Sequence, residues 1–440
     1  MSAPSSVRYL ADTEDILCEI KSLIERAEQH IVLQMYLFAR NGDLSVLLPR
    51  ERAARHAELV AHWLLDKRRR APEIPIVLIL DSNTPADAVL TRARRPPLRA
   101  ELEAQGITVL HANLFYNEFD RRPRRSVQRN FHIDWRSTPA KEWVRRQARW
   151  QTRHNLEDHR KNLVIDAGRA GLVTSHNLVD MAHDWYENAF ALEGRAARDL
   201  WRSTRRALSR ALELPYETSP ETLRLLAERV GPEPEVEPPA GDTVWLLDSL
   251  AIRPALTRLV SEAAAGDELL LASAYFSDLR LFEELARACQ RGVRVKVLID
   301  DVAGLPVPEP LGWGLRNLVN CEVLGAAARR RAELPGLELR VHHSGTGRLM
   351  HLKSALRQGR ENVLIGGQAN FTPNSFSGAW LETDVETRCP RTIAAFREHF
   401  LRLWALPESR PCPEFSAAER VRATLRRASL AAFRRFGLEP

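Results

Sequence analysis

Lysine is nearly absent from this chain. Of its 64 basic residues only six are lysine (Lys21, Lys67, Lys141, Lys161, Lys296, Lys353), leaving 58 arginines among 440 residues. GC-rich coding produces such a bias, so one arginine carries little message and a lysine carries more than usual. Cysteine is scarce too. The five present (Cys18, Cys289, Cys321, Cys389, Cys412) are scattered, odd in number and without a CxxC pair. That argues against a disulfide framework or a zinc site, and for reduced thiols in a cytoplasmic protein. No apolar run reaches the roughly 18–20 residues that span a bilayer. The start, MSAPSSVRYLADTEDI, lacks a basic segment followed by an apolar core, so no secretory signal is read there. GxGxxG and Walker-type loops are missing, which leaves nucleotide cofactors without a binding signature.

What remains is an ordinary globular balance, 44% hydrophobic and 28% charged, in a chain long enough for two domains or two fused halves. The net charge of +7 favours an anionic partner, either nucleic acid or an anionic membrane surface.

The same plan runs through the chain twice. In the first half DTEDILCEIKSLIERAEQ sets Ile16, Ile20, Leu23 and Ile24 on one helical face. The strand-like HIVLQMYLF follows, then a helix at AELVAHWLLDKRRR and a strand at IPIVLILDS. The second half offers RPALTRLVSEAAAG, DELLLASAYFS, LRLFEELARACQRG and VRVKVLIDD in the same order. Apolar strands alternating with amphipathic helices predict βαβ units around a buried sheet. An internal duplication of about 200 residues places the halves at 1–213 and 244–410, joined by a Pro/Glu/Gly-bearing linker at 214–243. A basic insertion at about 112–156 carries Trp135, Trp143 and Trp150; it reads either as a packed helix with a solvated arginine side or as a substrate-contacting lid.

The chemistry concentrates in two motifs. HRKNLVIDAGRAGLVTSHN holds His159, Lys161, Asp166, Ser175 and Asn177; HLKSALRQGRENVLIGGQAN holds His351, Lys353, Gly367 and Asn370. Each HxK leads a hairpin-like segment, and the asparagine follows the lysine by 16 residues in one copy and 17 in the other. Alternation along a strand puts His and Lys on one face, where both can meet one ligand. Glu187 lies ten residues past Asn177 and Glu382 twelve past Asn370. A lone HxK is weak; two copies at near-equal spacing inside matching halves are not coincidence. His342 and His343 precede the second motif, but no matching ligand cluster accompanies them.

With these motifs the chain resembles the phospholipase D superfamily, which carries HxKxxxxD and a GSxxN-like segment twice per site. The first copy matches HxKxxxxD in full, with TSHN for the second element; the second keeps HxK and GGQAN but has Gln358 at the aspartate position. The resemblance implies an α/β fold: two duplicated halves, each a mixed sheet flanked by helices, with one active site at their pseudo-twofold interface. It also implies a phosphohistidine intermediate and no metal or other cofactor. The expected catalytic residues are His159, Lys161, Asp166, Asn177, Glu187, His351, Lys353, Asn370 and Glu382, with Ser175 and Gly367 contacting substrate. Asymmetry between the copies suggests His159 as nucleophile and His351 as general acid.

Length, duplicated motifs and basic character resemble cardiolipin synthases and bacterial phosphatidylserine synthases within that superfamily. The implied activity is phosphatidyl transfer from an anionic phospholipid to an alcohol, by a monomer holding both half-sites. Phospholipid hydrolysis, metal-independent nucleic-acid cleavage and a catalytically silent binding module are the alternatives. The tail at 411–440 would set Val421, Leu425, Ala428, Ala432 and Phe436 on one helical face and Arg422, Arg426, Arg427 and Arg434 away from it. Such a helix either lies on the inner face of an anionic membrane or packs on the second half.

Overall fold

The central strands of the first half alternate side chains between two apolar environments, and that alternation builds the layers. A computed structural model of the chain describes residues 5–39, 55–81, 98–112, 156–179, 182, 184–212, 243–302, 320–330, 333–345 and 348–412. The linker, most of the basic insertion and the amphipathic tail from 413 lie outside them.

The first half runs β1 (Ser6–Leu10), α1 (Thr13–Arg26), β2 (Ile31–Met35), β3 (Phe38–Ala39), α2 (His56–Arg70), β4 (Ile76–Leu80), α3 (Leu98–Ala104), β5 (Thr108–His111), β6 (Glu157–Asp158), β7 (Lys161–Ile165), β8 (Ala170–Thr174), β9 (Leu178–Val179), β10 (Ala189–Glu193) and α4 (Arg195–Ala211). The second runs β11 (Val244–Asp248), α5 (Ile252–Ser261), β12 (Glu268–Ser273), α6 (Leu279–Gln290), β13 (Arg294–Asp300), α7 (Cys321–Arg330), β14 (Leu337–His342), β15 (Lys353–Gln358), β16 (Val363–Gly367), α8 (Pro373–Ser377), β17 (Trp380–Leu381), β18 (Thr383–Thr387), α9 (Pro390–Trp404) and β19 (Ser409–Pro411).

The two large sheets repeat one topology. The first is ordered β1-β10-β8-β7-β2-β4-β5, the second β11-β18-β16-β15-β12-β13-β14-β19, so the second adds only β19 at its edge. In both, the strand that opens on the motif lysine pairs antiparallel with the same partner type: Lys161 opposite Met35, Lys353 opposite Ser273. β7–β8 and β15–β16 are antiparallel hairpins, as the motif spacing implies.

Val32, Val77 and Val164 face a core shared with Leu270, Ala272, Leu356 and Leu364 of the second sheet. Their neighbours Leu33, Leu78 and Leu163 point the other way, onto α1, α2 and α3. Between the sheets lie α4 and α9, contributing Leu200, Trp201, Phe396, Phe400 and Leu403 to the shared core. α5, α6 and α7 cover the far face of the second sheet. Five layers result, with one core common to both halves. Burying each such large side chain stabilises by about 1.5–3 kcal/mol, so the seam between halves is held as a domain interior is. Candidate catalytic side chains gather where β7 and β15 begin.

Candidate active site

His159 and His351 stand two residues before the strands that their lysines open, so each pair projects to one side. The strand-entry backbone is fixed by an aspartate in both halves. Asp81, past the end of β4, accepts from the Asp158 amide at 2.6 Å; Asp300, ending β13, accepts from the Met350 amide at 2.7 Å. These strand-end aspartates are positioning residues that motif reading missed, although ILD and LID recur at matching places in the sequence.

The carboxylates cross the interface. His159 Nδ1 lies 3.0 Å from both oxygens of Glu382, which belongs to the second half. His351 Nδ1 lies 2.9 and 3.0 Å from the oxygens of Glu187, which belongs to the first. A carboxylate on Nδ1 fixes the ring and leaves Nε2 for chemistry. Lys161 Nζ donates to the carbonyl of His159 at 2.6 Å, and Lys353 Nζ to that of His351 at 2.8 Å. All six side chains are buried, and both lysines and both glutamates fully so.

Burial dominates the electrostatics. It pushes Lys161 down to about 8, against the opposing pull of Glu382 and Glu187. It pushes Lys353 well below the usual lysine value. It lowers His351 to about 3, with Glu187 resisting and Lys353 and Lys161 assisting. His159 is also well below its ordinary value, by burial and then by the charges of Lys161 and Lys353. Each imidazole thus feels both lysines, which makes the two motifs one site. The glutamates differ. Burial raises Glu382 to about 8. Burial acts on Glu187 too, but the His351 charge, hydrogen bonds from His176 and His351, and the Lys353 charge hold it well below the carboxylate range.

Asn177 Oδ1 and both polar side-chain atoms of Asn370 are buried without a protein partner. Leaving such an atom unmet costs about 1–3 kcal/mol, a cost that a bound ligand can remove. The interface around them is otherwise closed by polar contacts. Gln368 Nε2 donates to the Lys161 carbonyl at 2.8 Å and to Asn162 Oδ1 at 2.7 Å, and Asn188 Oδ1 accepts from the Lys353 amide at 3.1 Å. Gln368, Asn188 and Ser375, whose hydroxyl donates to Glu382 at 3.0 Å, were not expected from the motifs.

Three expected site residues have protein contacts of their own. Asp166 accepts from the backbone amides of Glu28, Gln29 and His30 at 2.7–3.1 Å and pairs with Arg169. It follows the strand that Lys161 opens, about 16 Å from that lysine at roughly 3.3 Å per residue, and there it staples the α1–β2 loop. Ser175 donates its hydroxyl to Glu187, holding the carboxylate that holds His351. Gly367 is a packing residue: a Cβ there would lie 2.6 Å from the Thr383 carbonyl oxygen and 2.7 Å from Asp384 Oδ1. Its own carbonyl accepts from Asn188 at 3.4 Å. His342 and His343 are engaged elsewhere, with Ser409 and the Arg348 carbonyl, and with Asp301.

Comparison with known proteins agrees with this architecture. The family model described as "Cardiolipin synthase, PLD-like domain" matches residues 257–404. Phosphatidylserine synthase from Haemophilus influenzae Rd KW20 shares the fold over 99% of this chain and 96% of its own, at a TM-score of 0.63 and 11% identity. Polyphosphate kinase from Porphyromonas gingivalis aligns over 97% of this chain and 55% of its own, with a TM-score of 0.47 and 11% identity. The phospholipase D family member Nuc from Salmonella typhimurium aligns over 38% of this chain and 97% of its own, with a TM-score of 0.30 and 19% identity. A search of curated proteins returns no match by sequence. The family likeness thus lies in residues 257–404 of the second half, and the likeness of fold extends over the whole chain.

Proposed function

We propose that the chain is a phosphatidyltransferase of cardiolipin synthase type, working on phospholipid phosphodiesters through a phosphohistidine. The observation that carries this reading is the crossed pair of imidazole–carboxylate contacts, His159–Glu382 and His351–Glu187, flanked by two buried lysines. One imidazole attacks phosphorus while the other protonates the leaving oxygen, and two glutamates hold both rings with Nε2 facing the same reacting group.

In the first step His159 Nε2 forms the P–N bond and the P–O bond to the leaving alcohol breaks. His351 supplies the proton that the leaving oxygen needs. In the second step the acceptor hydroxyl attacks phosphorus, His351 takes its proton, and the P–N bond breaks. Lys161, Lys353 and the side-chain Nδ2 groups of Asn177 and Asn370 would donate to the non-bridging oxygens, a use that answers the unpartnered Nδ2 of Asn370. The unlike glutamates favour this direction. Glu187 opposes the burial that lowers His351 to about 3 and so favours the imidazolium form there, while burial and the charges of Lys161 and Lys353 leave His159 the neutral ring a nucleophile requires. The substrate class is supported by the family description, cardiolipin synthase, and by the phosphatidylserine synthase of like fold. An anionic phospholipid donor, an alcohol acceptor and peripheral contact at a membrane follow, and no described helix is long and apolar enough to cross one.

The test is purified protein with vesicles of labelled phosphatidylglycerol. The expected products are a diphosphatidyl lipid and free glycerol, with His159→Ala and His351→Ala each lowering the rate by about 10²–10⁴-fold. Phosphatidic acid as the sole product would replace transfer by hydrolysis. Cleavage of single-stranded DNA without added metal, with lipid untouched, would move the substrate to nucleic acid. Unchanged rates in both variants would overturn the one-site scheme.

A further inference from the structure

Each catalytic imidazole carries a second contact besides its glutamate. Trp380 lies tilted against His159 with ring centroids 5.3 Å apart and planes 30° apart. Trp185 lies on His351 at 5.0 Å. Both tryptophans stand two residues before the glutamate that pairs with the same histidine, in Trp185-Tyr186-Glu187 and Trp380-Leu381-Glu382. In an extended segment residues i and i+2 project to one side, so W-x-E presents a ring and a carboxylate together.

Matching backbone bridges hold both segments. Trp380 and Leu381 run parallel to Glu157 and Asp158, and the Glu157 amide donates to the Ala379 carbonyl at 3.1 Å. In the other half Tyr186 bridges Met350, and the His351 amide donates to the Tyr186 carbonyl at 2.8 Å. Tyr36 adds a third ring to the first site, 4.4 Å from His159. The indole N–H of Trp380 is buried and has no protein partner, so an oxygen of bound substrate is the group that would complete it.

We propose that Trp185 and Trp380 are specificity-determining residues that cover the two imidazoles against water, so that the phosphohistidine passes its phosphatidyl group to an alcohol. The inference rests on the transferase reading above and adds what decides between the two acceptors. In either outcome the P–N bond to His159 breaks, a P–O bond forms, and the acceptor's proton goes to His351. Water and an alcohol differ only in the oxygen that arrives. A packed aromatic cover removes the sites where a lone water would be held, whereas an alcohol brings its own carbon surface to lie against indole.

The experiment measures both products in one sample, so a partly unfolded variant cancels from the ratio. The full chain is given phosphatidylglycerol vesicles with 1-butanol at several concentrations, and phosphatidylbutanol is compared with phosphatidic acid. Trp380→Ala and Trp185→Ala are each expected to shift the ratio towards phosphatidic acid by about tenfold or more. Trp380→Phe and Trp185→Phe, which keep a ring, should recover most of it. A wild type that makes phosphatidylbutanol while the alanine variants keep its ratio overturns the cover and leaves the transferase standing. A wild type that makes only phosphatidic acid at every butanol concentration sinks both.

Discussion

Glu187 and Glu382 occupy matching places, yet their neighbours push them apart. Glu187 receives hydrogen bonds or charge from Ser175, His176, His351 and Lys353; Glu382 has Ser375 and His159 beside it but not enough charge to offset burial. In the proposed mechanism the difference favours His351 as the acid, a choice that two near-identical motifs leave open. Burial depresses His351, and the Glu187 charge is the largest influence opposing it. Removing that charge in Glu187→Gln therefore lowers the His351 pKa further. A general acid with a lower pKa loses its proton sooner as pH rises, so the alkaline limb of kcat should move to lower pH, with a fall of about 10²-fold at pH 7. Glu382→Gln removes a carboxyl already raised to about 8 and should leave that limb in place. Rate profiles of both variants check this, and equal displacement in the two would reverse or erase the assignment of acid and nucleophile. Of the site residues, those within one motif copy were legible because spacing along a strand sets their face. Trp185, Trp380 and Ser375 were not sought, since contact with a partner's ring has no period. Their signal, W-x-E at both glutamates, was present.

At the level of elements, the helices and strands were legible wherever an apolar period ran unbroken: α1 buries Ile16, Ile20, Leu23 and Ile24 as its spacing requires. The role of Asp166 was not, because its partners are amides of a distant loop. That staple fixes the α1–β2 loop against the end of β7, where Asp166 and Ala167 both adopt left-handed backbone, φ 51° and 53°. The second half solves the same problem differently, and this accounts for Gln358. There the loop before β12 carries its own carboxylate: Asp267 accepts from the Ala264 amide at 3.0 Å. Gln358 is left to accept from Arg397 Nε at 2.7 Å. The missing motif aspartate thus has its counterpart in a loop staple relocated to Asp267. Asp166→Ala should cost about 2–4 kcal/mol by freeing several charge-assisted bonds, while Gln358→Ala costs under about 1 kcal/mol. Urea titrations give both numbers. Activity of folded Asp166→Ala within about threefold of wild type is expected, and a catalytic-scale loss in that folded protein would return Asp166 to the site.

For the whole molecule, duplication was readable from the repeated strand pairs, but the crossing was not. His159 and Glu382 are 223 residues apart, His351 and Glu187 164, and nothing in a one-dimensional pattern says which glutamate serves which ring. The same seam holds a group with no catalytic part. Tyr9 of β1 meets His399 of α9, hydroxyl to Nδ1 at 3.0 Å, beside Phe396 and Phe190. Burial, then the Arg402 charge, lowers His399 to about 4. In the unfolded chain a histidine protonates near 6.5. Between those values the unfolded state binds the proton and the folded state does not, so the stability this ring contributes is complete above about pH 6.5 and drains as pH falls towards 4. The limit is about 3 kcal/mol, from a gap of about 2.5 units at 1.36 kcal/mol each. His399→Gln keeps a polar partner for Tyr9 but cannot titrate. Wild type and variant share every other buried histidine, so those contributions cancel in the difference between their unfolding free energies. That difference should swing by up to about 3 kcal/mol in favour of the variant between pH 7 and pH 4. A difference that stays flat across this range would mean that His399 is already charged in the folded seam, and that acid parts the halves elsewhere.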